Sequence, residues 1–454
     1  MRGVLMFGGM LAGLTMVPSY GQVFDSASFQ NMAVGGLRLY GVSAFSGYST
    51  SAYPAGLGQI PLSGAGALGA DVNYGATATV GWQHHRDRTD LSAIYSGTYA
   101  GMVRYSDANG FSQYLSVSAS RKLSPKWKFT LSATGTDSTL VQFLYQPSSF
   151  GIISQTSASF DDLAAAFSVG QFSSGQAATM LSVAPLLESP ARTLLLGDRI
   201  LSYSAQASLT YAYSSRLTFH LASLTAGGEH RNSSQNGEPV PNYVMPRSYG
   251  LNGGMGLSYQ LSPRTQVGID VEENRSSNIY QAGYNTTASA SFGRKMGMHW
   301  FLSLNGGGSM SEITSASYGT PRTKDVIGGG SIGFRTYQHT LLGSYSRSAS
   351  DAYGLALGTT TTTSAAWNWH RPGSRWSWLA SFGQQQIRGT GYTSLSGWQA
   401  SGGVSQTLNA HMRMSAQYVY LSNSGSFLGN NTKLAIQSVR VSLSWTPQEY
   451  GTRH

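Results

Sequence analysis

The feature that most constrains this chain is a two-residue alternation that continues on both sides of short polar turns. In "LSVSASRKLSPKWKFTLSATGTD", residues 115–137, Leu115 and Val117 alternate with serines, and Trp127 and Leu131 alternate with Lys, Thr and Ser. Residues two apart on an extended chain point to the same face. Pro125 lies between the two runs, where the lack of an N–H does not interrupt a strand. The segment therefore predicts two consecutive strands, each apolar on one face and polar on the other.

The same unit returns along the whole chain, as in "MGLSYQLSPRTQVGIDVEEN" at 255–274. Each repeat predicts two strands of about ten residues, the length that crosses a bilayer at a steep tilt. A propeller also repeats at this spacing, but its blades are apolar on both faces, and here one face is polar throughout. Tight turns are predicted near residues 86, 124, 215, 263, 295, 337, 372 and 409, and long Gly-, Ser-, Asn- and Thr-rich connections at 227–248, 309–324, 351–358 and 423–432.

Eight hairpins account for sixteen strands, and a first strand near 34–46 and a last at 433–446 bring the expected number to about eighteen, within a range of 16–20. Only 11% of residues are charged, mean hydropathy is −0.16, and no helix-length apolar run follows Val17. Backbone groups left unpaired in hydrocarbon are very costly, so a sheet with one face in lipid has to close. We predict an all-β, antiparallel, up-and-down transmembrane barrel over 34–446, with short periplasmic turns, long extracellular loops and both termini in the periplasm.

Residues 1–21 predict a secretory signal, because Arg2 precedes an apolar stretch and Ser19 and Gly21 fit a cleavage site. Residues 22–33 are then a periplasmic tail, and 447–454 a C-terminal tail. The chain has no cysteine, which excludes disulfides and thiolate metal sites. The net charge is +10, but the basic residues are scattered and the chain is predicted to be secreted, so nucleic acid is not expected as a partner.

Most tryptophans lie within a few residues of a predicted tight turn. Indole rings favour the boundary between lipid and water, so these side chains predict an interfacial girdle at the turn end of the barrel. Trp398 falls elsewhere. The girdle residues are Trp82, Trp127, Trp300, Trp367, Trp369, Trp376, Trp378 and Trp445.

The last strand, "SVRVSLSW", ends on Trp445 and resembles the C-terminal signal of bacterial outer-membrane β-barrels, the porin-like class. It departs from that pattern because "TPQEYGTRH" follows the aromatic residue. The resemblance implies the fold, the outer membrane as location, and as partners outer-membrane lipid, lipopolysaccharide and the machinery that inserts barrels. It does not identify an individual family or an oligomeric state.

No motif in the chain supports catalysis, a cofactor or a metal. "GAGALG" at 64–69 matches a dinucleotide-binding pattern but lacks the flanking strand and helix. "HHRDR" at 84–88 places adjacent histidines on opposite faces, as in a polar turn. "DVEEN" puts Asp270 and Glu272 on the polar face near a strand's outer end. These acids are interpreted either as a calcium site at the rim of the barrel or as part of a solvated lumen wall. A membrane hydrolase would need a serine or acid beside His220 or His299, and we expect no enzyme.

The segment 137–198 is a long insertion within the barrel. Ser159 and Asp162 precede an Ala-rich run, as at the start of a short helix. So much apolar residue in one loop disfavours free exposure to water. The insertion is expected to be a constriction or plug in the lumen, or else a cap or partner-binding segment.

Three arginines alternate with apolar neighbours in the first strand and in the last two strands. These strands become neighbours when the barrel closes. Arg38, Arg413 and Arg440 are therefore predicted to form a basic patch facing the lumen. The patch either selects anions, or its arginines pair with lumen acids or lipid phosphates. With the neutral polar wall, this favours a channel for diffusion or export of small polar or anionic solutes, such as saccharides or a polysaccharide. The alternative is a structural or adhesive barrel with a filled lumen and partner-binding outer loops.

Overall fold

The computed structural model describes residues 37–50, 69–104, 109–139, 199–232, 248–277, 281–315, 322–352, 355–371, 373–389, 393–427 and 430–447. All regular elements in these ranges are strands, and none of these residues belongs to a helix long and apolar enough to cross a membrane. The strands are Leu37–Ser49 (β1), Asp71–Arg86 (β2), Thr89–Met102 (β3), Gly110–Lys122 (β4), Trp127–Thr139 (β5), Arg199–Ala212 (β6), Leu217–Asn232 (β7), Ser248–Ser262 (β8), Thr265–Ser277 (β9), Gln281–Met296 (β10), Trp300–Ser315 (β11), Arg322–Arg335 (β12), His339–Ala352 (β13), Leu355–His370 (β14), Trp376–Gly389 (β15), Thr393–Thr407 (β16), Met412–Phe427 (β17) and Asn430–Trp445 (β18).

The strands form one closed antiparallel sheet. Each pairs with its neighbours in sequence, and β1 pairs with β18 as well as β2, which completes the barrel. Closure leaves no free sheet edge in lipid. The predicted 18-stranded up-and-down barrel is confirmed.

The short turns lie where the sequence predicts them, and polar side chains stabilise their backbone. Ser124 Oγ accepts hydrogen bonds from the N–H groups of Lys126 and Trp127, both at 3.2 Å. A side-chain oxygen that accepts from the backbone two or three residues on is how Ser, Thr and Asn favour turns. The equivalent acceptors in other turns are Ser214, Ser262, Thr336, Ser374 and Asn409.

The strands are longer than predicted, at 13–16 residues, and several expected long connections are short. Only two residues separate β13 from β14 and β17 from β18, so most of 351–358 and 423–432 is strand. Gly-, Ser- and Thr-rich sequence there extends the sheet beyond the membrane, where both faces can meet water. A strand of 16 residues tilted at ~40° rises ~40 Å, well beyond an apolar band of ~25 Å.

The two faces of the sheet follow the alternation in the sequence. Large apolar side chains are exposed on the outward face, for example Leu131 at 45% and Val441 at 46%, whereas Ser132 and Ser118 on the inward face are buried. A closed barrel with an apolar outer jacket and a polar interior is the architecture of bacterial outer-membrane proteins. This chain is an outer-membrane β-barrel, and β1 begins and β18 ends at the same end as the short turns, which is the periplasmic end in this class.

Candidate pore wall

Hydroxyl groups cover much of the inward face and bond to one another across strands. Because these residues occupy alternate positions on registered strands, each hydroxyl meets one on the next strand. The pairs are mutual donors and acceptors, so small side chains satisfy their own polarity without a charge. Oxygen–oxygen distances are 2.9 Å for Thr77–Thr98, 3.0 Å for Thr79–Ser96, 2.6 Å for Ser92–Ser118, 2.7 Å for Thr134–Ser204, 2.6 Å for Ser344–Ser364, 2.6 Å for Ser377–Ser405, 2.6 Å for Ser381–Ser401 and 2.7 Å for Ser415–Ser442.

A basic wall lies on β17 and β18. Arg440 shares the inward face with Ser442, and its guanidinium carbon lies 4.0 Å from the ring centroid of Phe45 on β1. Phe45 itself is 7% exposed, and the other inward residues of β1 between 41 and 49 are serines and glycines. The ring fixes the guanidinium over its face by a cation–π contact. Phe45 was not identified from the sequence. It could have been, because Phe45 is the one large residue among the serines and glycines on this part of the inward face of β1.

The three predicted arginines lie at different heights of the seam between β1 and β18. Arg413 is registered with Ser444, four residues along β18 from Arg440. Arg38 is registered with Gly81 of β2, four residues beyond Val42, where the pairing of β1 with β18 ends. The structure thus brings Arg413 and Arg440 onto adjacent strands and sets Arg38 nearer the turn end. A single selective patch of all three stays a prediction.

A β-bulge near Tyr40 sets the register of the start of β1. Leu39 pairs with Val80, but Gly41 pairs with Thr79, so one residue is inserted between them. One extra residue in a strand moves the side chains beyond it to the opposite face of the sheet. Leu39 therefore lies on the outward face and Gly41 on the inward face, although they are two residues apart. Arg38 is correspondingly registered with an inward position.

An acidic wall lies on β9. Asp270 and Glu272 face inward and lean over glycines of β8: a Cβ on Gly256 would lie 2.0 Å from Asp270 Oδ1, and one on Gly254 would lie 3.0 Å from Glu272 Cγ. Asp270 is five residues from Thr265, where β9 begins at a short turn. The expectation that these acids lie near the outer end is therefore wrong for Asp270, because β9 extends further outward than the sequence suggested.

His220 lies in the same registered row as Asp270, across Gly256. A bulge in β7 directly follows it, since His220 pairs with Gly256 but Ser223 pairs with Gly254. His299 lies in the turn between β10 and β11, where its Nδ1 is 2.8 Å from the carbonyl oxygen of Arg335. Among the described residues, no group of three or more His, Cys, Asp or Glu side chains is arranged to hold a metal ion.

The basic and acidic walls face each other across the barrel. β18 and β9 are nine strands apart in either direction around the 18-stranded ring, so they are diametrically opposed. Trp445 and Thr265 are the periplasmic ends of β18 and β9. Arg440 is five residues from Trp445 and Asp270 is five residues from Thr265, which puts the two charges at similar depth. A solute in the interior would therefore pass between a positive and a negative wall.

The histidines of "HHRDR" point to opposite faces. His84 stacks on Trp82 on the outward face, with ring centroids 5.9 Å apart. His85 contacts Asp90 on the inward face. The turn itself is two residues long, with Asp87 at φ 47°, a conformation that Asp tolerates better than most residues.

The eight girdle tryptophans all lie at or near the turn ends of their strands. Trp300, Trp376 and Trp378 are each more than 40% exposed on the outward face, and Trp127 packs on Tyr211 with centroids 4.7 Å apart. Trp398 lies nine residues from the turn end of β16, where its ring stacks on Tyr420 at 4.8 Å. Their role as membrane anchors stays a prediction.

Several predicted features lie outside the described residues. These are the signal and tail at 1–21 and 22–33, residues 64–68 of the glycine-rich motif, Ser159 and Asp162 in the insertion, and the C-terminal tail beyond residue 447. Of the proposed insertion 137–198, residues 137–139 belong to β5.

Comparison with known proteins gave matches among solved structures alone. No protein-family model and no curated protein matches this chain. OccK2 of Pseudomonas aeruginosa in complex with glucuronate is 12% identical, covers 91% of this chain and 99% of its own, and has a TM-score of 0.45. A BenF-like porin from Pseudomonas fluorescens Pf-5 is 9% identical over 92% and 100%, with a TM-score of 0.44. The FrpB iron transporter of Neisseria meningitidis (F3-3 variant) is 8% identical over 92% and 82%, with a TM-score of 0.42. At these scores the likeness adds nothing to the fold already established by strand pairing.

Proposed function

We propose that this chain is an outer-membrane channel for passive movement of small polar solutes, with neutral saccharides and small anions as its cargo. The observation that carries the proposal is the interior wall. Paired hydroxyls lie on β2–β6 and β13–β18, with Arg440 and Arg413 on one side of the barrel and Asp270 and Glu272 on the other. Barrels of 16–18 strands enclose a lumen wide enough for an aqueous path.

The wall suits hydrated, polyhydroxylated cargo. Hydroxyl groups both donate and accept, so they can replace the water around a sugar without a charge that would bind it tightly. The opposed charges orient solutes that carry a dipole or a single charge. The basic wall favours anions where Arg440, held by Phe45, lies close to the path. Export of a polysaccharide would make the same demands on the wall and would differ in the length and direction of the cargo.

The test is ion conductance of the purified barrel in planar bilayers, with salt gradients to measure selectivity. We expect steady current with a modest anion preference, which falls in Arg440→Gln and rises in Asp270→Asn. Arg121→Gln is the matched control, because Arg121 is on the outward face of β4 and should leave selectivity unchanged. A correctly inserted barrel without measurable current would reject the channel.

A loop-replacement variant separates the channel from a filled, adhesive barrel. Residues 140–198 would be replaced by a short Gly-Ser linker, which spares residues 137–139 and the pair Thr139–Arg199 that joins β5 to β6. A channel conducts before and after the change. A current that appears only after the replacement identifies a plug, and loss of surface binding at unchanged conductance identifies an adhesive loop.

A further inference from the structure

We propose that the outward face of β9–β12, at the extracellular end of the barrel, binds a phosphorylated glycolipid of the outer leaflet. The site combines a row of charged side chains at headgroup height with a smooth glycine and alanine surface on the same strands, closer to the middle of the membrane. It is separate from the lumen and does not depend on the channel function.

The charged row crosses four adjacent strands in register. Arg275 of β9 pairs with Tyr284 of β10, Tyr284 pairs with Glu312 of β11, and Glu312 pairs with Arg322 of β12. Lys324 lies two residues from Arg322 on the same outward face. Four strands thus place three basic side chains on one stretch of the outer surface.

Carboxylates hold both arginines by one nitrogen each. Arg275 Nε donates to Glu273 Oε1 at 2.5 Å, and Arg322 Nε donates to Glu312, which also accepts a hydrogen bond of 2.8 Å from the Tyr284 hydroxyl. The arginine side chains remain 69% and 72% exposed. A guanidinium bound through Nε keeps further N–H donors on its two terminal nitrogens, in the fork geometry that suits phosphate. The carboxylates therefore orient the arginines outward.

The height of the row matches the phosphate level of the outer leaflet. Glu312 lies 12 residues from Trp300, the turn end of β11. At ~3.3 Å per residue and a tilt of ~40°, this is ~30 Å along the membrane normal, just above an apolar band of ~25 Å. At comparable positions on other strands the outward residues are aromatic, namely Tyr48, Tyr74, Tyr99, Phe111 and Tyr249, each at least 40% exposed. On β9, β11 and β12 charged residues take these positions, and the one aromatic residue of the row, Tyr284 of β10, is hydrogen-bonded to Glu312.

Met310, 43% exposed, lies directly below Glu312, and beneath it the outward surface of β10 and β11 lacks protruding side chains. Ala288 pairs with Gly308, and Ala290 pairs with Gly306, which in turn pairs with Gly328. A Cβ placed on Gly306 would meet nothing within 4 Å, so this surface is open. Ile269 of β9, 59% exposed, and Val326 of β12, 74% exposed, stand on either side. The result is a shallow apolar channel in which acyl chains can lie flat against the sheet.

Charge complementarity favours a lipid over a second copy of this chain. In a dimer with its twofold axis along the membrane normal, the row of one copy would run in the opposite direction to the row of the other. Arg275 of one copy would then face Arg322 of the second, and these like charges repel. A phosphorylated lipid instead supplies negative charge to the row and acyl chains to the smooth surface, and so satisfies both features at once.

The test uses the full-length barrel in neutral detergent, titrated with bisphosphorylated lipid A and followed by native mass spectrometry. We expect the double variant Arg322→Gln/Lys324→Gln to weaken binding about tenfold or more, the effect of losing one charge-assisted hydrogen bond. Lipid A with its phosphates removed should bind wild type as weakly as lipid A binds the variant.

Two further variants keep the result interpretable. Lys324→Gln alone leaves the Arg322–Glu312 contact intact and should give an intermediate affinity in a normally folded barrel. Arg294→Gln is the matched control, because Arg294 is exposed on the outward face at the opposite, periplasmic end of β10. Equal lipid binding by wild type and the double variant overturns the proposal. The proposal is also overturned if the double variant no longer self-associates but still binds lipid, since this face would then be an interface with a second copy.

Discussion

Glycines on the inward face of β11 and β12 allow neighbouring strands to approach where a side chain would not fit. A Cβ on Gly307 would lie 1.9 Å from the backbone oxygen of Ala288, and one on Gly329 would lie 2.5 Å from that of Tyr345. Backbone atoms cannot rotate away as a side chain can, so the absence of a Cβ is a packing requirement at these positions. The adjacent outward glycine, Gly306, has open space instead.

These neighbours predict opposite responses to one methyl group. Gly307→Ala should destabilise the barrel by about 1–3 kcal/mol, because the β10 backbone has to shift. Gly306→Ala, one residue away, should remain within about 0.5 kcal/mol of wild type. Urea unfolding in lipid vesicles, followed by the mobility difference between folded and unfolded barrel on gels, measures both. Equal stabilities for the two variants would contradict the close approach of β10 and β11.

Each strand separates lipid from the interior by alternation alone, and β18 shows this over its whole length. Val439, Val441 and Leu443 are 46%, 46% and 41% exposed on the outward face, whereas Ser442 pairs inward with Ser415. Val439 is six residues from Trp445, close to the middle of the apolar band. A side chain there has no water or polar partner in lipid.

A charge on β18 should therefore be tolerated at one residue and rejected at the next. Val439→Arg is expected to cost about 2–4 kcal/mol, because the guanidinium would enter the middle of the bilayer. Ser438→Arg places the same group in the polar interior, beside a wall that already holds Arg440, and should fold with a much smaller loss. The yield of folded barrel after dilution into vesicles compares the two, and equal yields would show that the two faces have been assigned incorrectly.

Closure of the whole barrel depends on one non-local strand pair. β1 meets β18 over Val42–Ser49, a contact between the two ends of the chain that no turn enforces. Ser43 is registered with Ser444, and Phe45 with Ser442. Residues opposite each other on antiparallel strands have Cα atoms ~4.5–5.5 Å apart, within the range that a disulfide spans.

The natural absence of cysteine makes this register directly testable. Ser43→Cys/Ser444→Cys should form a disulfide in the oxidising periplasm and migrate as a circular species on non-reducing denaturing gels. Ser43→Cys/Ser442→Cys is displaced by one same-face position along β18 and should crosslink far less. Crosslinking of the second pair in preference to the first would show a shifted seam.

The sequence by itself determined the strands, their faces, the turns and the closed barrel of eighteen strands, because alternation and turn chemistry are local properties. Ser124 and Asn409 indicated turns from their neighbours alone, and a lipid-facing strand such as β18 was recognisable residue by residue. Strand ends were predicted poorly, since Gly- and Ser-rich sequence can form a loop or a sheet extending into water.

Only the tertiary structure decided which residues meet. Register and ring closure set Arg440 opposite Asp270, separated Arg38 from Arg413, and assembled Arg275, Glu312 and Arg322 into one row from three strands. None of these relations is encoded in the spacing along the chain. They depend on how far each strand is displaced past its neighbour, which is fixed by the bulges and by the pairing of β1 with β18.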